Sequence, residues 1–142
     1  MKQFQTDLPE NYDALKKQAN YTSSWRERLD AVHMLAVVKH EKVIDILTNR
    51  MKNDTVYKVQ VAAYEALAAM GENVEKPAPS RFDIIKGTDK ILLRVKKSLP
   101  KDHSVEDFAD KLKRMRLDVY DAYEGDKGKV FMKWLEERWA KL

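Results

Sequence analysis

The residues that could carry chemistry in this chain are few and lie far apart. Its three histidines, His33, His40 and His103, fall in no HExxH or similar metal-binding spacing. His33 follows Asp30 by three residues, which is close enough on one helix for a pairing of the kind that is usually structural. The chain has no cysteine, so disulfides, thiolate metal sites and cysteine nucleophiles are excluded.

Phosphate binding by a glycine loop and acid–base catalysis are equally unsupported. The segment Gly125-Asp-Lys-Gly128 is too short for a P-loop and indicates a tight turn between helices. Carboxylates are plentiful, yet no two of them lie in an apolar context that would separate their pKa values. We therefore expect no catalytic residues, no metal, no cofactor and no enzymatic activity.

Positive charge is concentrated in the second half of the chain. Residues 1–76 hold eleven basic and eleven acidic side chains, whereas residues 77–142 hold sixteen and twelve. Four basic residues with no acid between them, Arg94, Lys96, Lys97 and Lys101, could contact the phosphates of DNA or RNA. Nucleic-acid binding through this cluster is the alternative function, although solubility alone also accounts for so small a surplus of charge.

Helix signals dominate the 142 residues, and no segment alternates with the period of a strand. Capping residues, apolar spacing and breakers predict helices at about 9–19, 24–38, 41–53, 55–70, 89–98 and 104–123, and a last helix after Glu124-Gly-Asp126. In the longest of them, Val105, Phe108, Leu112, Met115, Val119 and Ala122 form a single apolar face. The linker-like segment 72–80 carries two prolines. We expect an all-α protein in which residues 77–142 pack on residues 1–76 as one compact unit.

The first half contains an internal repeat. Two segments align without gaps at an offset of 32 residues. The matched pairs include Trp25 with Tyr57, Leu29 with Val61, Val32 with Tyr64 and Leu35 with Leu67. A two-helix repeat of this length buries its apolar faces by stacking one hairpin on the next.

The segment LTNRMKNDTVYKVQVAAYEALAAMG, from Leu47 to Gly71, resembles a HEAT or HEAT-like (phycobilin-lyase-type) repeat. The matching features are Asp54 at the turn, the alanine-rich second helix and the closing glycine. The family's arginine is replaced by Gln60 here, although Arg28 holds that place in the first copy, so we expect an incomplete aspartate–arginine ladder. The resemblance, over about residues 9–73, implies an α–α superhelix of helical hairpins closed by a C-terminal helical cap.

HEAT-like proteins are mostly binding platforms, and in them the second helix of each hairpin lines the concave surface. By that resemblance Trp25, Arg28, Tyr57 and Tyr64 form a ridge of residue types that dominate interface energetics. The sequence therefore predicts a non-catalytic binding or scaffold module that engages a protein partner through this ridge. Burial of the ridge beneath the C-terminal helices is the open alternative. Without a signal-like or membrane-spanning apolar stretch, a cytoplasmic location is expected.

Overall fold

The computed structural model describes residues 3–80 and 82–142, and within them every regular element is helical. The α-helices are α1 (Tyr12–Ala19), α2 (Trp25–Leu35), α3 (Glu41–Asn53), α4 (Tyr57–Ala69), α5 (Thr88–Lys97), α6 (Val105–Met115), α7 (Leu117–Lys127) and α8 (Phe131–Lys141), with a short 3-10 turn at Gly128–Val130. Extended pairing among these residues is limited to one isolated bridge between Gln5 and Val38. The expected all-α class is confirmed.

The chain divides into two compact units, Met1–Pro79 and Ser80–Leu142. The division falls within the proline-containing segment that the sequence indicates as a linker. The prediction that the second part packs on the first as a cap stays a prediction, and each unit is described by itself below.

Local signals explain where the helices of the first unit begin and end. The Ser24 side chain accepts a hydrogen bond from the Glu27 backbone N–H and so caps α2. Gly71, with φ of 88°, follows α4 in the left-handed conformation that commonly ends a helix. These observations match the predicted boundaries to within a few residues.

The helices of the first unit pack in two consecutive pairs, α1 with α2 and α3 with α4, and α2 also packs against α4. The residues fully buried between them are mainly aliphatic and include Val32, Leu35, Val43, Leu47, Val59 and Leu67. Two hairpins with adjoining second helices agree with the repeat in the sequence. Superhelical stacking of the HEAT type stays a prediction.

The second unit surrounds a core of aromatic and aliphatic side chains that includes Phe108, Tyr123, Phe131 and Leu135. The prediction of one helix over 104–123 is wrong, because the helix breaks at Arg116, which has φ of −142° and ψ of 72°. There the guanidinium donates to both carboxylate oxygens of Asp118, at 3.1 Å each. As a consequence Met115, predicted on the buried face, is 39% exposed.

The turn after α7 is also displaced from its predicted position. Gly125, which the sequence places in a turn, lies buried within α7. The chain turns instead at Gly128, with φ of 57° and ψ of −127°, a conformation that favours glycine. The helix therefore runs about one turn further than the glycine spacing suggests.

Candidate functional site

A buried carboxylate, that of Asp54, lies in the turn between α3 and α4. The Asp54 side chain is fully buried and accepts hydrogen bonds from Arg28 Nε at 2.9 Å, Arg28 Nη2 at 3.2 Å, Arg50 Nη1 at 3.0 Å and the Val56 N–H at 2.9 Å. Arg28 is 3% exposed and also donates from Nη1 to the Tyr21 carbonyl at 2.8 Å. The network thus joins α2 to the turn between α3 and α4.

This network contains one aspartate–arginine contact between the two hairpins, and the expectation of an incomplete ladder stays a prediction. Arg28 reaches Asp54 across 26 positions of sequence. Gln60, in the place of the second arginine, donates to the Asp54 carbonyl at 2.7 Å. The Arg28 guanidinium is therefore engaged in hydrogen bonds within the protein, and its side chain leaves almost no surface for a partner to contact.

Trp25 is likewise largely buried, at 8% exposed. The Arg26 guanidinium lies 4.6 Å and the Lys58 ammonium 5.1 Å from its ring centroid. Because Lys58 belongs to α4, Trp25 marks the contact between α2 and α4.

The other two ridge residues, Tyr57 and Tyr64, are half-buried on α4. The Tyr57 hydroxyl donates to the Pro77 carbonyl at 2.8 Å, so this ring also holds the segment that follows α4. The ridge predicted from the sequence is thus uneven, with two members inside the protein and two partly accessible.

Tyr57 and Tyr64 belong to a continuous stripe along α4. Spacings of four, three and four residues place Tyr57, Val61, Tyr64 and Ala68 on one side of the helix. The opposite side carries the buried Val59, Ala63, Ala66 and Leu67. We call the stripe Tyr57, Val61, Tyr64 and Ala68 the outer face of α4. Its first three residues are half-buried and Ala68 is exposed, so an apolar surface remains partly accessible.

The basic cluster of the second unit is also divided by the structure. The Lys96 ammonium donates to the carbonyl oxygens of Trp139, at 2.8 Å, and Leu142, at 3.1 Å, and so caps the end of α8. Arg94, Lys97 and Lys101 are exposed. Lys90 joins Arg94 and Lys97 at spacings of four and three on the exposed side of α5, a member that the sequence cluster missed. No ion pair in the described part of the chain involves these four exposed residues.

Several polar groups of the second unit are paired with one another, some in its core and some at its surface. The Thr88 and Tyr123 hydroxyls lie 2.6 Å apart in the core, and burial raises the pKa of the Tyr123 hydroxyl. The Tyr123 ring stacks on Trp134 with centroids 4.4 Å apart. Arg138 binds Asp83 at 2.6 Å and Asp89 at 3.0 Å. These contacts stabilise the second unit.

Two further kinds of site have no counterpart in residues 3–80 and 82–142. No three histidine, aspartate or glutamate side chains there are grouped so that they could hold a metal ion. None of the helices described is both long and apolar enough to cross a membrane.

Comparison of the chain with family models, with curated proteins and with solved structures finds no match.

Proposed function

We propose that this chain is a non-catalytic protein-binding module whose contact surface is the outer face of α4. The observation that carries the proposal is that α4 has two apolar sides, one buried in the core and one still partly accessible, with the exposed Lys58 and Glu65 on a flank between them. Val59, Ala63 and Leu67 are buried on one side, while Tyr57 and Tyr64 lie half-exposed on the other. An apolar stripe that stays partly accessible on such a helix marks a surface that a partner can cover.

The internal repeat supports the same surface. The positions of α2 that correspond to the outer face of α4 are Trp25, Leu29, Val32 and Ala36. Trp25 and Val32 are buried and Leu29 and Ala36 are half-buried, and the Trp25 ring contacts Lys58 of α4. The outer face of α4 is thus the same surface on the second hairpin, and a further helix can pack there as α4 packs on α2.

Trp25 and Arg28 then have a supporting role rather than a contact role. Arg28 ties α2 to Asp54, and Trp25 fills the contact between α2 and α4. They hold α4 in position, while Tyr57 and Tyr64 supply aromatic area of the kind that anchors protein interfaces.

The test is photo-crosslinking in cells from the outer face of α4. A benzoylphenylalanine at position 64 should give a covalent adduct with a protein, and the same residue in place of the exposed Lys17 on α1 should not. Tyr64→Ala should weaken capture of that protein and leave the melting temperature nearly unchanged. Equal adducts from both positions, or a large loss of stability in Tyr64→Ala, would remove the basis of the proposal.

A second candidate function, nucleic-acid binding, is favoured by the exposed side of α5. Lys90, Arg94 and Lys97 present positive charge on this side at spacings of four and three, and the exposed Lys101 follows after the helix ends; within the described residues none of the four has an ion-pair partner. Like charges four residues apart on a helix are destabilising by a few tenths of a kcal/mol, and a phosphate backbone would neutralise them.

This candidate is tested by fluorescence anisotropy with labelled duplex DNA, single-stranded DNA and RNA. Binding should weaken at least about tenfold between about 50 and 200 mM salt. The double variant Arg94→Glu/Lys97→Glu should abolish it. The control Lys129→Glu/Lys133→Glu makes the same change of charge at exposed positions elsewhere in the second unit. No binding at low salt would eliminate this function.

A further inference from the structure

The outer face of α4 is complementary to itself when the helix direction is reversed. Its four residues are placed symmetrically about a point between positions 62 and 63. A two-fold axis through that point places Tyr57 of one copy opposite Ala68 of the other, and Val61 opposite Tyr64. Each large side chain thus meets a smaller one, as close packing of two helices requires.

The charges that flank this face match in the same arrangement. Lys58 and Glu65 are both exposed and lie seven residues apart, so they stand on the same flank of the apolar stripe about two turns from each other. In an antiparallel pair, that flank of one helix lies beside the same flank of the other. Lys58 of each copy then comes within side-chain reach of the partner's Glu65, so the contact occurs twice. Glu65 has no ion-pair partner within the described residues, and the recorded contact of the Lys58 ammonium is with the Trp25 ring.

We propose that the outer face of α4 binds a second copy of this chain, with the two α4 helices antiparallel about a two-fold axis. The inference rests on the proposed function, because it names the occupant of the same surface. An unrelated partner would require an apolar face, but it would not require Tyr57 to match Ala68 or Lys58 to match Glu65. A closed two-fold dimer requires both matches. In such a self-complementary interface, a residue that contacts a second residue of the partner is contacted by that same second residue in return.

The dimer is expected to be weak and dependent on concentration. An interface made of one helix face per copy buries less than about 1,200 Å² in total, which is the low end of the range for specific interfaces. The protein should therefore be monomeric when dilute and dimeric when concentrated, and the dissociation constant of the dimer should lie in the micromolar range.

Sedimentation velocity of the whole chain, from about 5 µM to about 500 µM, brackets the affinity expected for so small an interface. The expected result is a shift from monomer to dimer, absent in Tyr64→Glu. The single variants Lys58→Glu and Glu65→Lys should each weaken the dimer at least about fivefold. Each of them turns both attractive contacts between positions 58 and 65 into contacts between like charges. Lys42→Glu on α3 makes the same change at an exposed position and should have no effect.

The decisive step is to mix the two single charge variants in equal amounts. A dimer of Lys58→Glu with Glu65→Lys restores both attractive pairs, so the mixture should dimerise at least as strongly as the unaltered chain. The double variant Lys58→Glu/Glu65→Lys should also recover, which separates the pairing from any effect of Lys58 on Trp25. Thermal unfolding of each variant shows that it is folded.

Three results would overturn the inference. They are a monomer at every concentration, a dimer that is indifferent to Tyr64→Glu, and a mixture that recovers nothing. A monomer that still gives a specific crosslink from position 64 to another protein would retain the proposed function and reject the second copy. Loss of both the dimer and the crosslink would reject the two together.

Discussion

Replacement of Asp54 by alanine tests how the first unit is held together. The variant removes the acceptor of three guanidinium hydrogen bonds and of the Val56 N–H. Arg28 is then left 3% exposed, with a charge that has no counter-ion beside it. We expect Asp54→Ala to be among the most destabilising single changes in this unit.

The magnitude follows from burial rather than from the number of bonds. Removal of one partner from a buried ion pair costs about 3–5 kcal/mol, because the remaining charge loses both water and its partner. The whole free energy of unfolding of a domain is about 5–15 kcal/mol. At about 4–8 °C per kcal/mol for a domain of this size, the melting temperature should fall by more than about 10 °C.

Urea denaturation followed by far-UV circular dichroism measures this loss, and hydrogen exchange of peptides from α2 and α4 locates it. Asp45→Ala, an exposed carboxylate on α3, is the matched control and should stay within about 0.5 kcal/mol of the unaltered chain. The double variant Arg28→Met/Asp54→Leu should be less destabilised than Asp54→Ala, because it leaves no lone charge on α2. A loss below about 1 kcal/mol for Asp54→Ala would refute the reasoning, since exposed ion pairs contribute no more than that.

Three further predictions concern the second unit. Thr88→Val removes the hydroxyl 2.6 Å from that of Tyr123 and should cost about 1–3 kcal/mol in urea denaturation, while Thr88→Ser should retain most of the stability. Burial raises the pKa of Tyr123 above its ordinary value of 10.0. The stability this contributes is therefore fully present below pH 10.0 and is lost as pH rises through the folded pKa. The free energy of unfolding should therefore fall less steeply with rising alkaline pH in Tyr123→Phe than in the unaltered chain. An unchanged slope would show that Tyr123 does not cause the decrease. Gly128→Ala forces a side chain into a backbone conformation with φ of 57° and ψ of −127° and should cost about 1–3 kcal/mol in thermal unfolding, whereas no measurable loss would show that the turn relaxes.

The helices of the first unit could be predicted because their boundaries depend on nearby residues. Ser24 caps α2 through a bond three residues away, and Gly71 ends α4 through its own backbone conformation. The break at Arg116 could not be predicted in this way. Arginine is a good helix former, and the apolar spacing of residues 105–122 continues across the break without interruption.

The candidate site was predictable to the extent that it depends on helical period. Tyr57 and Tyr64 share a side of α4 in the sequence and in the structure. The burial of Arg28 depends on Asp54, 26 residues away, and the engagement of Lys96 depends on Trp139, 43 residues away. Contacts of this kind decide whether a charged residue is available to a partner, and no local pattern reports them.

The contact between Arg28 and Asp54 also has a consequence for the order in which the nascent chain folds. The first hairpin is complete at Leu35, but its counter-charge is not synthesised until the end of α3. Until then α2 cannot bury the guanidinium without an uncompensated charge, so the first hairpin should not close on its own. The two hairpins should therefore form in one cooperative step once Asp54 and α4 have left the ribosome.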